Sequence, residues 1–288
     1  MANEFDTGVS GADALYANIM QAALFTLSEQ SIIRPLVRNY NMTGTPGLTA
    51  QVPIYPAVSA AAVTDGSDLA NTVFATTKKE ITAAEVGVMV TLTDLLEEAS
   101  SDDTAAAIGR QLGAAMAEKV DTDLAANFRN FSSKIEKSGA AISAEDIFKA
   151  AATLKANKAD QNGGYVCVLH PFQAFDIKKE LTNAGATMSH NLSDVGNRAL
   201  ESGFIGRIAG VDIFESTVLE GDSAGEITGA VMTQDALGYM LKRDMRIETQ
   251  RDASLRATEI VGSMAYGTAE LFDAYGIAIS SDASALIS

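Results

Sequence analysis

Two histidines, one cysteine and a run of closely spaced glycines are the residues whose types most invite chemistry in this chain. The run GFIGRIAG, at 203–210, carries Gly203, Gly206 and Gly210 and leads at once into VDIFEST. A dinucleotide loop needs G-x-G-x-x-G between a strand and a helix, so that helix amides can face the pyrophosphate. Here the spacing is G-x-x-G-x-x-x-G, and Val211, Asp212, Ile213, Phe214, Glu215 and Ser216 read as a strand with no helix start. The glycines therefore predict turns feeding a strand. His170 and His190 have no second ligand at helical or C-x-x-C spacing, so no zinc site is expected. A Ser-His-Asp triad is not excluded by sequence, but no G-x-S-x-G elbow presents a serine. The carboxylate pairs Glu97-Glu98 and Asp102-Asp103 are adjacent residues that point apart on a helix, which suits solvation and dipole matching. Cys167, between Val166 and Val168, reads as a small buried hydrophobe, and His190 as a solvated loop residue. Tryptophan is absent and aromatics make up 6%, which leaves little for an aromatic-lined pocket. No catalytic, cofactor-binding or metal-binding residue is assigned, no cofactor is expected, and the chain reads as no enzyme.

The bulk numbers narrow the classes further. With 21 basic against 37 acidic residues the net charge is −16, and the basic residues are scattered rather than striped. That disfavours binding to a phosphate backbone, although it suits a surface lying beside nucleic acid without sticking to it. Only 20% of the 288 residues are charged, a composition that favours burial against further copies of the chain. One cysteine excludes an intramolecular disulfide and suits a reducing compartment. Residues 1–20 show no basic stretch followed by an apolar core, and no segment approaches the roughly 20 apolar residues of a membrane span. The protein is expected to stay where it is made.

The elements follow from pattern. Ala12 to Ser28 reads as an amphipathic helix through Leu15, Ile19, Ala22 and Leu27. Pro35, Pro46, Pro53 and Pro56 then predict an extended arm rather than a packed element. Residues 48–92 hold two strand-like runs around TDGSDLAN, whose Asp65-Gly66 is a turn signal, so a long two-stranded excursion is expected. Its outer half, Ser59 to Thr77, is small and polar, and a disordered surface loop remains the alternative. Ser100 and Ser101 with Asp102 and Asp103 start a helix in which Ile108, Leu112, Met116, Val120, Leu124, Phe128 and Phe131 recur at three or four residues. Its expected length is about 28 residues, or roughly 42 Å. A compact αβα unit follows: Ser143 caps a helix through Lys155, YVCVLH is a strand, and Pro171 opens a second helix with Phe172, Phe175, Ile177 and Leu181 inward. After a polar stretch, 183–202, the remainder reads as strands, the last a pair flanking Gly267.

This order of parts, with GFIGRIAGVDIFEST and the closing section RDASLRATEIVGSMAYGTAELFDAYGIAI, resembles the major capsid proteins of tailed bacteriophages, the Hong Kong 97-type capsid fold. The resemblance implies an α+β chain in five parts: an N-terminal helix and arm (1–47), an E-loop (48–92), a peripheral domain with a spine helix (93–138), an axial domain of mixed sheet and helices (139–235), and return strands (236–288). It implies self-assembly through hexamers and pentamers into an icosahedral shell that encloses double-stranded DNA without binding it specifically. Portal and scaffolding proteins are the implied partners, with a cement protein as a further one, no membrane, and assembly in the host bacterial cytoplasm into a virion. Some members join an E-loop lysine to a neighbour's asparagine; Lys78 and Lys79 stand in the second arm, but no asparagine matches, and two solvated lysines are expected. The chain opens at Met1 without the long helical scaffolding segment of some members, so no N-terminal cleavage is expected. An encapsulin-like compartment shell and a soluble enzyme with a long active-site lid are the alternatives.

Overall fold

The computed structural model describes residues 20, 22–27, 30–55, 60, 62, 65, 66, 68, 75–95, 104–159, 164–187, 206–221 and 225–282. The longest helix, α1 (Thr104–Ala126), continues as a 3-10 turn over Asn127–Asn130. Its 23 described residues span about 35 Å, and its proposed start at Ser100 to Asp103 lies outside the described residues. The apolar stripe is as the spacing predicts: Leu112, Met116, Val120, Leu124, Phe128 and Phe131 are all buried, each contributing roughly 1.5–3 kcal/mol by burial. Helical residues 22–27 lie against this helix through Ala23 and Leu27, and Leu15 and Ile19 fall outside the described residues.

Residues 35–55 are no free arm, and Pro56 lies outside the described residues. Pro35 sits in a 3-10 turn, Arg34–Leu36, where its missing N–H costs nothing, and β1 (Arg38–Asn41) pairs in parallel with β10 (Leu237–Asp252). Val37 between them is fully buried. β2 (Thr49–Ile54) pairs antiparallel with β3 (Thr77–Thr82), from Thr49 opposite Thr82 to Ile54 opposite Thr77. Pro53 is tolerated there because β2 has a partner on one side only. The excursion is thus a hairpin, with a turn at Asp65-Gly66 where Gly66 has φ +78°. Its second arm is shorter than the sequence suggested. After Ala83 the chain leaves the hairpin as β4 (Ala84–Thr93), which pairs with β11 (Ala257–Glu270) in a four-stranded sheet ordered β1-β10-β11-β4. Gly267 lies inside β11, so a single strand replaces the expected pair around it.

The second sheet has six strands in the order β5-β12-β9-β6-β8-β7: β5 (Lys134–Lys137), β6 (Tyr165–Leu169), β7 (Arg207–Ile208), β8 (Val211–Glu215), β9 (Glu226–Thr233) and β12 (Gly276–Asp282). β6 is buried on both faces. Tyr165, Cys167 and Leu169 meet α2 (Ala144–Ala156) and α3 (Pro171–Thr187), while Val166 and Val168 join the core under α1. Ser143 caps α2 through the predicted capping box, with Asp146 as its reciprocal member. In α3, Ala174 and Ile177 are buried and Phe172 is partly buried. Phe175 instead points outward at 43% exposure, because it lies about 100° around the helix from Ala174.

Candidate assembly surfaces and the groups that hold them

The residues first suspected of chemistry have structural roles here. Gly206 and Gly210 have φ of +69° and +85°, and Ala209 with Gly210 forms the turn between β7 and β8. β8 then runs parallel to β6, so the segment is a hairpin and no helix N-terminus faces a phosphate. Gly203, His190, Glu97, Glu98, Asp102 and Asp103 lie outside the described residues. Cys167 is fully buried, and burial pushes its thiol up. His170 caps α3: its Nδ1 accepts the Phe172 N–H at 3.2 Å, its ring meets Phe172 edge-on, and burial lowers its pKa. Among the described residues, no three His, Cys, Asp or Glu side chains converge to hold a metal, and no helix is long and apolar enough to cross a membrane.

Among the described residues, the hairpin is held at its base. Val52, Ile81 and Ala83 are buried with Met240 and Leu271, while most other described hairpin residues are exposed. It rests where two strands present no side chain: a Cβ on Gly267 would stand 2.4 Å from the Thr82 carbonyl oxygen, and one on Gly238 would stand 2.9 Å from Ile81 Cδ1. Lys79 pairs with Glu270 at 3.5 Å across this contact, and Lys78 pairs with Glu80 at 3.0 Å within β3. Beside the base, Lys242 donates to the Thr45 carbonyl and Arg243 pairs with Glu85 along a groove of about 630 Å³.

Apolar side chains are left in water at several edges. Leu48 lies at the hairpin base and Tyr55 beyond the outer end of its ladder, and Phe148 and Phe175 face outward from α2 and α3. At the far end of the four-stranded sheet Thr93 lies opposite Ala257, which brings Leu95 and Leu255 to one tip at 77% and 58% exposure. Such positions suit association between subunits.

Two buried polar groups tie these surfaces together, and sequence reading missed both. Asp121, on the inward side of α1, accepts the Ser31 hydroxyl, two amides (Ile32 and Ile33) through one oxygen, and the Arg34 amide. An acid beside the buried stripe was the available signal. Gln173 of α3 donates to the Ile227 carbonyl and to Ser281 Oγ and accepts the His170 N–H, joining the helix to β9 and β12.

This architecture, a spine helix over one sheet, an αβα unit over another and a hairpin projecting from their edge, defines a shell-forming class of fold. A family model described as phage capsid protein matches residues 76–280, more than two thirds of the chain. The chain belongs to the phage capsid protein family. A capsid chain of the cyanophage P-SCSP1u superposes with a TM-score of 0.69 at 18% identity, covering 88% of this chain and 89% of that one. A chain from Mycobacterium phage Che8 gives 0.69 at 18% identity, over 87% and 91%. A chain from the head of Helicobacter pylori bacteriophage KHP40 gives 0.68 at 12% identity, over 85% and 88%. No curated protein matches the sequence. The fold is the α+β capsid fold expected from the resemblance, and the chain is a structural, self-assembling component of a virion. The family favours neither the compartment shell nor the lidded enzyme.

Proposed function

We propose that this chain is the subunit from which a tailed-phage head is built, through hexamers and pentamers, around double-stranded DNA. On this reading α1 with the four-stranded sheet is the peripheral domain, the six-stranded sheet with α2 and α3 is the axial domain, and the β2–β3 hairpin lies on a neighbour. The observation that carries it is the hairpin, in which, among the described residues, only Val52, Ile81 and Ala83 are buried. A two-stranded ribbon is marginal in water without further support, and a neighbouring subunit supplies it. The charge of −16 per subunit repels enclosed DNA rather than gripping it. Portal and scaffolding proteins, with a cement protein on the outer face, complete the head, and assembly takes place in the host cytoplasm. Lys78 and Lys79, each with a carboxylate partner, act as surface ion pairs rather than cross-linking groups.

The test is electron microscopy with light scattering on the expressed chain, alone and with the proteins encoded beside it, and on purified phage particles. Closed shells containing the chain are expected. A lone 30.1 kDa species in every condition, and its absence from particles, would overturn the reading.

A further inference from the structure

The turn between β2 and β3 holds the sequence's one Asp-Gly pair, Asp65-Gly66, and both residues are exposed. Gly66 takes φ +78°, and a Cβ built on it would meet no atom within 4 Å, so nothing in the described structure crowds its backbone. Among the described residues no hydrogen bond or ion pair holds the Asp65 carboxylate. Asp252, at the β10–β11 turn, is the contrast. Its carboxylate accepts the Ser254 and Leu255 amides and the Ser254 hydroxyl, and the residue after it, Ala253, sets a Cβ beside the backbone nitrogen.

An aspartyl side chain reaches the backbone nitrogen of the next residue through a five-membered ring, and only glycine offers that nitrogen without a neighbouring Cβ. We propose that Asp65-Gly66 is a site of spontaneous backbone isomerisation in the unassembled subunit. The Gly66 nitrogen attacks Cγ of the protonated Asp65 carboxyl; the N–Cγ bond forms, a Cγ–O bond breaks, and the hydroxyl leaves with the amide proton as water. A second water then opens the cyclic imide. Addition at Cγ restores aspartate, whereas addition at the Asp65 main-chain carbonyl carbon breaks that carbon's bond to nitrogen and leaves isoaspartate. Neither an oxidant nor a reductant is consumed. The product runs its backbone through Cβ and Cγ, one methylene longer, with the carboxylate moved to Cα. The β2–β3 register and the left-handed Gly66 are matched to the shorter turn. On the shell reading, on which this consequence rests, the altered hairpin meets its neighbour poorly. Unassembled subunits therefore lose competence with age, while the shell covers and preserves the pair.

The test incubates free subunits and assembled shells side by side at neutral pH, with a synthetic peptide of residues 60–70 as the control for the chemistry. A protease that cuts before aspartate but not before isoaspartate, and methylation by an isoaspartyl methyltransferase, report position 65. In free wild-type subunits, cleavage at 65 is expected to fall as methylation rises, and the assembling fraction to fall in step. Asp65→Glu keeps the charge but requires a six-membered ring, so its subunits are expected to age without either change. Shells are expected to keep cleavage at 65. Free subunits that stay cleavable while the peptide isomerises would overturn the proposal. Equal isomerisation in shells and subunits, undiminished assembly by isomerised subunits, or the same loss of assembly in Asp65→Glu would overturn its link to assembly. Failure of fresh wild-type and Asp65→Glu subunits alike to form shells counts instead against the shell reading, and leaves isomerisation of the free subunit to be read as before.

Discussion

Replacing Asp121 tests whether a single carboxylate fastens the turn at 31–34 to α1. Its oxygens lie 2.7 Å from Ser31 Oγ, 2.7 Å from the Ile32 nitrogen, 3.2 Å from that of Ile33 and 3.3 Å from that of Arg34. Ser31 and Ile33 are buried, so these donors have little water to fall back on. Each buried donor left without an acceptor costs about 1–3 kcal/mol, and the partly exposed Ile32 and Arg34 amides recover some of it, so Asp121→Ala is expected to cost about 3–5 kcal/mol. For a chain of this size that is a fall in melting temperature of roughly 10 °C. Asp121→Asn keeps the shape but turns a donor toward donors, and about half the loss is expected; Ser31→Ala removes one bond and costs about 1 kcal/mol. Thermal unfolding of unassembled subunits measures the series, and hydrogen exchange at the Ile33 amide reports whether the turn has come loose. The reasoning fails if Asp121→Asn melts with the wild type, or if Ser31→Ala costs as much as Asp121→Ala.

Three further outcomes are expected. A Cβ on Gly113 would stand 2.3 Å from the Ala23 carbonyl oxygen, so Gly113→Val should push residues 22–27 off α1 and cost about 1–3 kcal/mol; a rise in melting temperature would disprove that contact. Burial opposes the charge of Asp146, but the Ser143 hydroxyl, Lys137 and the Ser143 amide outweigh it and hold the carboxyl below its ordinary value. Its stabilising contribution is therefore complete above about pH 4 and is lost as pH falls further, and Asp146→Asn should flatten the acid limb of a stability-against-pH curve, with an unchanged limb counting against it. Replacing residues 59–76 with a short Gly-Ser turn should leave the subunit's melting temperature nearly unchanged, since loop closure varies by less than about 1 kcal/mol, yet abolish shells, whereas Asp65→Pro with Gly66→Val should weaken assembly in part. Normal particles from the deletion would remove the hairpin from the assembly contact.

What sequence could reveal here depended on how local its cause was. The capping box at Ser143 and Asp146, the turn at Asp65-Gly66, the strand β6 with its buried Cys167 and the stripe on α1 each follow from residues within one or two turns of each other, and each was legible. β1 was not, because its pairing partner begins near Gly238, some two hundred positions further on, and nothing in RNYN announces that edge. β4 misled for a related reason: the inward positions shift from Ile81 and Ala83 to Val86, Val88, Val90 and Leu92, a change of parity at Ala83–Ala84 that marks where β3 ends its pairing with β2 and β4 joins β11, but two adjacent alanines blur it in the sequence.

The same rule explains why the assembly surfaces were seen only in outline. A surface that works between subunits is satisfied by a chain outside the sequence window, so within one subunit it shows up as something unfinished. Phe175 was placed inward by its helical spacing, yet it is more than two fifths exposed. Leu95 and Leu255 become a pair only when β4 and β11 bring their ends together. The hairpin could be read because its two strands are neighbours in sequence, but its lack of footing could not, since that is a statement about the rest of the fold. Asp121 is the converse case: an acid whose partners are supplied by the same chain, almost ninety residues earlier, and which is therefore finished. The contrast separates the two kinds of group: Leu95, Leu255 and Phe148 leave apolar surface in water that the subunit does not cover, whereas the Asp121 carboxylate takes all four of its donors from its own chain.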